Sequence, residues 1–364
     1  MLTRNEFMVL NALRQLGRSS QRRLAEATGL SLGTVNSTIR TCEAQGYCLD
    51  RELTESGLDA LRPYKVDNAI IMAAGMSERF VPISYEKPKG LLRVRGKILI
   101  QRQIRQLQKA GITDVTVVVG YRKEYFFYLI KKYGVKIVVN DEYATRNNNG
   151  SLWRVREELG NTYICSSDNY FTKNPFEDYV YQAYYSAQYV AGPTDEWCLK
   201  TGSGGRIIDV SIGGADAYVM LGHAYFDRTF SDTFTSILEQ VYERPETVSK
   251  LWQAIYLAHI DQLNMEIRPY PDGVIQEFDS LDELRHFDPD FIENVDSEVF
   301  DNIVSVFGCE KSDIYDIYPL KNGITNLSCH FAIGDDEYVY RHPGIGTEKS
   351  IDRKAEASAL LLAG

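Results

Sequence analysis

The stretch IIMAAGMSERF, residues 70–80, decides the fold of the central part of this 364-residue chain. Its apolar beginning predicts a buried strand, and the small residues that follow predict a loop whose backbone a ligand can approach closely. Backbone N–H groups of such a loop bind anionic oxygens, and Arg79 adds a positive charge. The motif EKPKG at residues 86–90 supplies a second cation, Lys89. Ala-Ala-Gly alone fits a tight structural turn equally well, but the two motifs together indicate a phosphate-binding site.

Short apolar strands alternate with amphipathic helices after Pro63. Strands are predicted at residues 69–72, 115–119, 136–139 and 163–165, and helices at residues 100–110, 123–133 and 152–159. This alternation predicts an α/β fold, in which a Rossmann-like, mostly parallel sheet carries helices on both faces. Ligands bind beyond the carboxyl ends of the strands in such sheets, and each polar motif of this region follows a predicted strand.

These motifs resemble the signature of the nucleotidyltransferases, in which Ala-Ala-Gly, a nearby Arg and a later Pro-Lys hold a nucleoside triphosphate. The longer run is most similar to the bacterial choline-phosphate cytidylyltransferases, which use CTP. The sequence NNNGSL, residues 147–152, resembles the family's Asn-Asn-x-x-Ser-Leu segment, which contacts cytosine and ribose. The nucleotide-binding residues that this resemblance implies are Ala73, Ala74, Gly75, Met76, Ser77, Gly120, Tyr121, Asn148 and Ser151.

One residue of the loop departs from the family pattern. The commonest form has Gly followed by Ser or Thr where this chain has Ser77 and Glu78. Ser77 fits such a loop, but a carboxylate beside a triphosphate is unfavourable unless it points away.

The same resemblance implies the chemistry of the reaction. A phosphate oxygen of the second substrate attacks the α-phosphorus of CTP in line, and pyrophosphate leaves. Lys89 would neutralise charge at the α-phosphate, while Arg79 would hold the β- and γ-phosphates. The motifs SDNY at residues 167–170 and EFDS at residues 277–280 match family segments, which makes Asp168 and Asp279 the expected ligands of Mg²⁺.

A further motif concerns the acceptor. TDEW at residues 194–197 resembles the family's Asn-Glu-Trp segment, which implies phosphocholine as acceptor and CDP-choline as product. A quaternary ammonium donates no ordinary hydrogen bond, so aromatic faces and carboxylates must select it. Each aromatic fits a core position about as well, and phosphoethanolamine, an aminophosphonate or a sugar 1-phosphate are alternative acceptors. The expected choline-binding residues are Glu196 (or Asp195), Trp197, Tyr225 or Phe226, and Trp252.

The first 62 residues have the pattern of a winged helix-turn-helix. QRRLAEATGLSLGTVN, residues 21–36, fits two crossing helices with Ser31 as an N-cap, and residues 47–57 indicate a wing hairpin. The motif LTESG resembles winged-helix domains of bacterial transcription regulators. Residues 1–65 carry nine Lys or Arg and seven Asp or Glu, so DNA binding and a docking role both stay open. Residues that would contact DNA are Arg18, Arg22, Arg23, Thr34, Asn36, Ser37, Thr38 and Arg40.

The segment from residue 298 resembles the N-terminal part of bacterial choline kinases in its motifs YPLKNGITN, YVYRHPG and IDRKAE. The resemblance implies a nucleotide-covering turn at residues 323–326, a cation at Arg341 and a helical partner at Glu356. The kinase catalytic loop and its metal-binding Asp are absent from the sequence, so kinase activity is not expected of this chain alone, and a fragment of a longer bifunctional protein is favoured. The predicted domains are a winged helix at 1–62, a nucleotidyltransferase at 66–297 and a partial kinase lobe at 298–364.

The composition of the chain limits the classes of function and the cellular compartment that it fits. The net charge of −10 argues against a protein that coats nucleic acid non-specifically. Six dispersed cysteines without a Cys-x-x-Cys pair are typical of reduced thiols in a cytoplasmic protein, and no apolar run approaches membrane-spanning length. The expected partners are CTP, phosphocholine and, through residues 1–62, DNA, and the product would serve choline decoration of a surface glycan. A transcription regulator that senses CTP or phosphocholine is the alternative function.

Overall fold

A computed structural model describes residues 1–320 and 326–343 of the chain, together with residues 352 and 355. Its N-terminal part is the predicted winged helix-turn-helix. Two serines begin helices as N-caps, because the Ser20 side chain accepts a hydrogen bond from Arg23 N–H and the Ser31 side chain from Thr34 N–H. The elements are α1 (Arg4–Leu16), α2 (Gln21–Thr28), α3 (Leu32–Ala44), β1 (Cys48–Leu49), β2 (Glu52–Leu53) and α4 (Glu55–Leu61).

A seven-stranded sheet forms the centre of the molecule. Its parallel strands are β3 (Asn68–Ala73), β6 (Val115–Val119), β7 (Lys136–Val139) and β8 (Thr162–Ser166), and the short pair β4 (Arg93–Val94) and β5 (Lys97–Ile98) lies outside it. Its other strands are β10 (Tyr184–Thr201), β11 (Ile207–Phe226) and β12 (Glu266–Pro269), whereas β9 (Tyr170–Phe171) and β13 (Ile275–Gln276) pair with each other in a separate small sheet. The order in the large sheet is β12-β10-β11-β8-β3-β6-β7, with antiparallel pairing where β11 meets β8 and β10.

Helices cover both faces of this sheet, and successive side chains of the central strand β3 enter opposite cores. Ile70 packs in the cluster that includes Phe234 and Trp252, whereas Ile71 packs in the cluster that includes Ile104 and Leu129. The helices of this part are α5 (Ile83–Glu86), α6 (Leu99–Lys109), α7 (Tyr128–Tyr133), α8 (Asn149–Arg154), α9 (Arg228–Val241), α10 (Trp252–Ala258), α11 (Leu281–Phe287) and α12 (Phe291–Asn294). The predicted α/β fold with a mostly parallel, helix-covered sheet is confirmed.

The main difference from the prediction is a long, bent hairpin. Strands β10 and β11 have 18 and 20 residues, and their pairing register shifts repeatedly between Tyr185 and Thr201. Two helices also differ in their starts. The predicted helix at 123–133 begins as the 3₁₀ turn Lys123–Phe126, and the one predicted at 152–159 begins earlier, at Asn149.

The C-terminal part is a helix and a three-stranded antiparallel sheet. Its elements are α13 (Glu298–Phe307), β14 (Ile314–Pro319), β15 (Asn326–Ile333) and β16 (Asp336–Pro343), in the order β14-β15-β16. Arg341 lies in β16, whereas residues 323–325 of the expected nucleotide turn and Glu356 lie outside the described residues. Among the described helices none is long and apolar enough to cross a bilayer.

Candidate active site

The loop at residues 74–77, which follows β3, forms one wall of the central cleft. Ser77 has φ of 53° in the left-handed region, and this turns the chain sharply before Arg79. A Cβ atom placed on Gly75 would meet nothing within 4 Å, because this residue opens directly onto the cleft. The nucleotide cavity beside the loop has a volume of about 220 Å³. Its lining includes the predicted Ala73, Ala74, Gly75, Ser77, Lys89, Asn148, Ser151 and Asp168, together with Met72, Asn140, Tyr143, Arg146 and Asn147.

Lys89 and Asp168 meet at the base of this cavity. The Lys89 ammonium lies 2.8 Å from Asp168 Oδ2, donates to the carbonyl oxygen of Phe278 and sits 4.4 Å from the centre of the Phe80 ring. A Cβ atom on Gly90 would lie 2.7 Å from the Ser167 hydroxyl oxygen, so only glycine allows the two loops to pack this closely. Gly90 follows Lys89 and Ser167 precedes Asp168, so the close packing of their two loops brings the predicted pair together.

The second oxygen of Asp168 fits a cation that the protein itself does not supply. Burial alone would raise the pKa of this carboxyl, but the Lys89 ammonium and a hydrogen bond from Ser166 together lower it below its ordinary value. Asp168 is therefore ionised at neutral pH. Its Oδ1 atom is buried and has no hydrogen-bond partner among the described residues. An ionised carboxylate with one unsatisfied oxygen beside a phosphate-binding loop suits a hard divalent cation.

Asp279, the other predicted metal ligand, is held by Arg79. The guanidinium of Arg79 lies 2.8 Å from Asp279 Oδ1, and about two thirds of the Arg79 side chain is exposed. The neighbouring Glu277 accepts hydrogen bonds from Asn169 and from the backbone N–H of Gly222. Glu277 belongs to the EFDS motif, but no role was predicted for it. The only sequence signal for it is that same EFDS motif.

The carboxylate of Glu277 is repelled by that of Asp168. The Glu277 side chain is exposed at the mouth of the cleft, where Asp168 and Asp279 also lie. Partial removal from water, followed by repulsion from Asp168, raises the pKa of Glu277 to about 7. A cation bound between the two carboxylates would relieve this repulsion.

A second cavity, the acceptor cavity, opens from the first and has a volume of about 350 Å³. Tyr185 and the partly exposed Trp197 line it, whereas Trp252 borders it with only 1% of the residue exposed and stacks on Tyr185 with ring centres 5.8 Å apart. Tyr185 was missed because it lies within the hairpin that the sequence pattern did not reveal. Glu196, Glu277 and Asp279 bring carboxylates to the same cavity. Asn148 lines both cavities and is held in place by Trp252 N–H at 2.7 Å and Gln253 at 3.3 Å.

Two predicted choline-binding residues do not reach this cavity. Tyr225 and Phe226 are fully buried. Tyr225 packs against Tyr163 with ring centres 5.2 Å apart, and Phe226 packs against Phe230 with ring centres 4.4 Å apart. Strand β11 ends here beneath helix α9, so its side chains point into the two cores. Tyr185, by contrast, is among the residues that line the acceptor cavity.

Gly120 and Tyr121 lie behind the phosphate-binding loop rather than in the nucleotide cavity. Tyr121 N–H donates to the Ala74 carbonyl at 3.0 Å, and a Cβ atom on Gly120 would lie 2.6 Å from Tyr143. Met76 and Glu78 line the mouth of the cleft together with Arg79, and Glu78 is exposed there. These four residues therefore support or border the site.

The comparisons with known proteins agree with this geometry. Residues 69–200 match the model of the MobA-like NTP transferase domain, and residues 2–47 match a winged helix-turn-helix DNA-binding model. The choline-phosphate cytidylyltransferase of Streptococcus pneumoniae is 35% identical over 217 residues, which cover 60% of this chain and 95% of that protein. The chain belongs to the cytidylyltransferase family.

Other relatives support the same membership. The 2-aminoethylphosphonate cytidylyltransferase of Lancefieldella rimae is 33% identical over 229 residues, which cover 62% of this chain and 93% of that protein. A solved structure of CTP:phosphocholine cytidylyltransferase from Streptococcus pneumoniae superposes with a TM-score of 0.59 at 35% identity and covers 61% of this chain and 97% of that one. The predictions of a nucleotidyltransferase and of an N-terminal winged helix-turn-helix are confirmed.

Proposed function

We propose that the chain transfers the cytidylyl group of CTP to phosphocholine, with CDP-choline and pyrophosphate as products. The main support for this proposal is that the nucleotide cavity and the acceptor cavity meet at Asn148. One cavity has a glycine-containing loop and the Lys89 cation, which suit phosphates. The other has the partly exposed ring of Trp197 beside carboxylates, and a desolvated aromatic face contributes about 1–2 kcal/mol to binding a quaternary ammonium.

The reaction is an in-line displacement at the α-phosphorus of CTP. A phosphate oxygen of phosphocholine forms the new P–O bond while the bond to the β-phosphate breaks, and no covalent enzyme intermediate is needed. The chain contributes positioning and fixed charge. Lys89 holds the α-phosphate, and the backbone of residues 75–77 with Arg79 holds the outer phosphates. Since Arg79 now contacts Asp279, this role requires the guanidinium to exchange that partner for phosphate.

The site fits a divalent cation, and Mg²⁺ is the metal we propose. Asp168 would hold it through its unsatisfied Oδ1 atom, together with Glu277 or Asp279. The described residues contain no cluster of three or more metal-binding side chains, so phosphate oxygens and water would complete the coordination, as is usual for Mg²⁺. When bound, the cation offsets negative charge on the phosphates.

Pyrophosphate release with CTP and Mg²⁺ tests the function. Phosphocholine, 2-aminoethylphosphonate, phosphoethanolamine and glucose 1-phosphate are supplied in parallel. We expect kcat/KM with phosphocholine to be at least tenfold above the others, and release with the sugar phosphate alone would refute the acceptor assignment. Lys89→Met and Asp168→Asn are each expected to lower kcat by about 100- to 1,000-fold. The exposed Lys97→Met is the matched control.

For residues 1–62 we propose DNA binding, because seven of their eight arginines fall into two sets. Arg4, Arg14 and Arg62 form ion pairs with carboxylates. Arg18, Arg22, Arg23 and Arg40 are exposed around α2 and α3, and none of them forms an ion pair within the described part of the chain. Unpaired cations around a recognition helix suit phosphates of a duplex.

Fluorescence anisotropy with duplex DNA from upstream of the coding sequence tests this proposal at several salt concentrations. Arg22→Ala combined with Arg40→Ala should reduce the slope of log K against log salt by about 2. Arg62→Ala, which removes an arginine paired with Asp59, should leave the slope unchanged. Absence of binding by the unmodified protein at low salt would leave only the docking role.

The division into a winged helix at 1–62, a nucleotidyltransferase at 66–297 and a kinase-like segment at 298–364 is likewise a proposal. The antiparallel sheet β14-β15-β16 supports a kinase-like start, and Arg341 lies on its last strand. Decoration of a surface glycan and a cytoplasmic location stay predictions.

A further inference from the structure

Arg146 is a cation of the cleft for which no role was predicted. It lies on the loop between β7 and α8, opposite the phosphate-binding loop. It lines the nucleotide cavity and also the mouth of the cleft, where Ser77, Glu78 and Arg79 lie. Only 9% of its side chain is exposed, which is unusual for an arginine without a strong ion pair.

Several contacts fix the orientation of its guanidinium group. The group stacks on the Tyr242 ring at 3.9 Å, and that ring stacks on Trp153 with centres 4.1 Å apart. Nη1 donates to the Tyr242 carbonyl at 3.0 Å and approaches Asn149 Oδ1 at 3.4 Å. Nη2 makes no hydrogen bond or ion pair within the described residues, so its donors stay available on a rigid, pre-oriented fork.

Charge balance in the cleft requires such a group. The described residues that line the nucleotide cavity, the mouth and the acceptor cavity include three cations, Lys89, Arg79 and Arg146. The same linings include five carboxylates, Glu78, Asp168, Glu196, Glu277 and Asp279. Lys89 and Arg79 are each within 2.8 Å of a carboxylate. The nearest carboxylate to Arg146 is Glu142 at 3.9 Å, and Glu142 also accepts from the Tyr242 hydroxyl and approaches Arg154 at 3.6 Å.

We propose that Arg146 binds the β- and γ-phosphates of CTP, and hence the pyrophosphate product. This inference rests on the proposed function and deepens it. The outer phosphates are the appropriate partner because Arg146 shares the mouth of the cleft with Ser77 and Arg79. On the proposed function the base and ribose would lie toward Asn148 and Ser151, and Asn140 donates to the Ser151 hydroxyl at 3.3 Å. Arg146 thus supplies the positive charge that the ion-paired Lys89 and Arg79 cannot supply alone.

Binding of pyrophosphate and of CMP, each measured by calorimetry in the absence of acceptor, separates this role from others. Arg146→Gln should weaken pyrophosphate and CTP by about 10- to 100-fold and CMP by less than twofold. Arg146→Lys keeps the positive charge but loses the planar guanidinium. Its affinities for pyrophosphate and CTP should therefore lie between those of the unmodified protein and those of Arg146→Gln. Arg154→Gln is the matched control, because Arg154 contacts the same Glu142 but lines none of the three cavities.

The outcomes are distinguishable from failure of the proposed function, because product and fragment binding is measured without phosphocholine. Unchanged pyrophosphate affinity in Arg146→Gln would overturn the proposal. Equal losses for CMP and pyrophosphate would also overturn it, since they would show that Arg146 orients the asparagine loop instead. Retained CMP affinity shows at the same time that the variant is folded.

Discussion

Among single residues, the two carboxylates of the EFDS motif interact with different partners. Glu277 and Asp279 stand two positions apart just after strand β13, and both line the mouth and the acceptor cavity. Nothing in the motif tells which carboxylate faces Asp168. The structure separates them, since Asp279 is paired with Arg79 whereas Glu277 interacts repulsively with Asp168. The distances of Glu277 and Asp279 from Asp168 and Arg79 therefore decide their roles, and these distances are set only when the chain folds.

Glu277 gives the metal-free protein a specific pH dependence. Its pKa of about 7 lies above the value of an unfolded glutamate, so the folded state binds the proton more tightly. The associated stabilisation is complete below the unfolded pKa and is lost as the pH rises through about 7. Glu277→Gln should therefore raise Tm relative to the unmodified protein at pH 8 but not at pH 4. Because water reaches this carboxyl and screens it, we expect a difference on the order of 2 °C.

Thermal unfolding in EDTA at the two pH values measures this effect, and the exposed Asp261→Asn serves as control. An equal Tm difference at pH 4 and pH 8 would show that the pKa of Glu277 is the same in the folded and unfolded states. Addition of Mg²⁺ at pH 8 should remove most of the advantage of the variant, because a cation relieves the same repulsion.

At the scale of elements, the parallel strands were predictable and the hairpin was not. Strands β3, β6, β7 and β8 are short apolar runs bounded by polar loops, which is the simplest pattern that a buried strand produces. In β10 and β11 the register shifts repeatedly, and many side chains are partly exposed on both faces. The residue types of β10 do not alternate between apolar and polar, so the sequence carries no periodic strand signal there, and neither Tyr185 nor this wall of the acceptor cavity was predicted.

The C-terminal sheet contacts the segment that joins Arg79 to Lys89. Tyr85 donates from its hydroxyl to the Ser328 carbonyl at 3.0 Å and packs in a cluster with Val81 and Cys329. Glu86 accepts from Val299 N–H at 3.0 Å at the start of α13. The C-terminal part of the chain thus helps to hold the phosphate-binding segment in place.

Tyr85→Ala should therefore weaken CTP binding although Tyr85 lies outside the nucleotide cavity. Removal of a ring that is 95% buried costs about 3–5 kcal/mol and frees the segment between the two cations. We expect the KM for CTP to rise at least fivefold and amide hydrogen exchange to accelerate in residues 326–343. Val339→Ala, an exposed position on the same sheet, is the control. An unchanged KM with accelerated exchange would show that the C-terminal sheet packs on the segment without positioning it.

At the scale of the whole molecule, the winged helix packs on the nucleotidyltransferase through an aromatic cluster. Phe7, Tyr64 and Tyr181 have ring centres 5.0–5.6 Å apart, and Tyr181 comes from the central part of the chain. Two ion pairs flank this cluster, Arg4 with Glu266 at 2.6 Å and Arg14 with Asp178 at 2.7 Å. Partly exposed ion pairs contribute about 0–1 kcal/mol each, so the aromatic rings account for most of the docking energy.

This interface leads us to expect that both parts unfold together and that Tyr181→Ala separates them. Loss of the ring removes about 2–4 kcal/mol from the contact, which is enough for the small winged helix to melt first. Differential scanning calorimetry should show one transition for the unmodified protein and two for the variant. The KM values for CTP and phosphocholine should change less than twofold, because the cleft opens at the carboxyl ends of the strands, away from the cluster. Tyr189→Ala, at a half-exposed ring on the hairpin, should keep the single transition. A single transition in Tyr181→Ala at an unchanged Tm would show that the aromatic cluster does not couple the two parts.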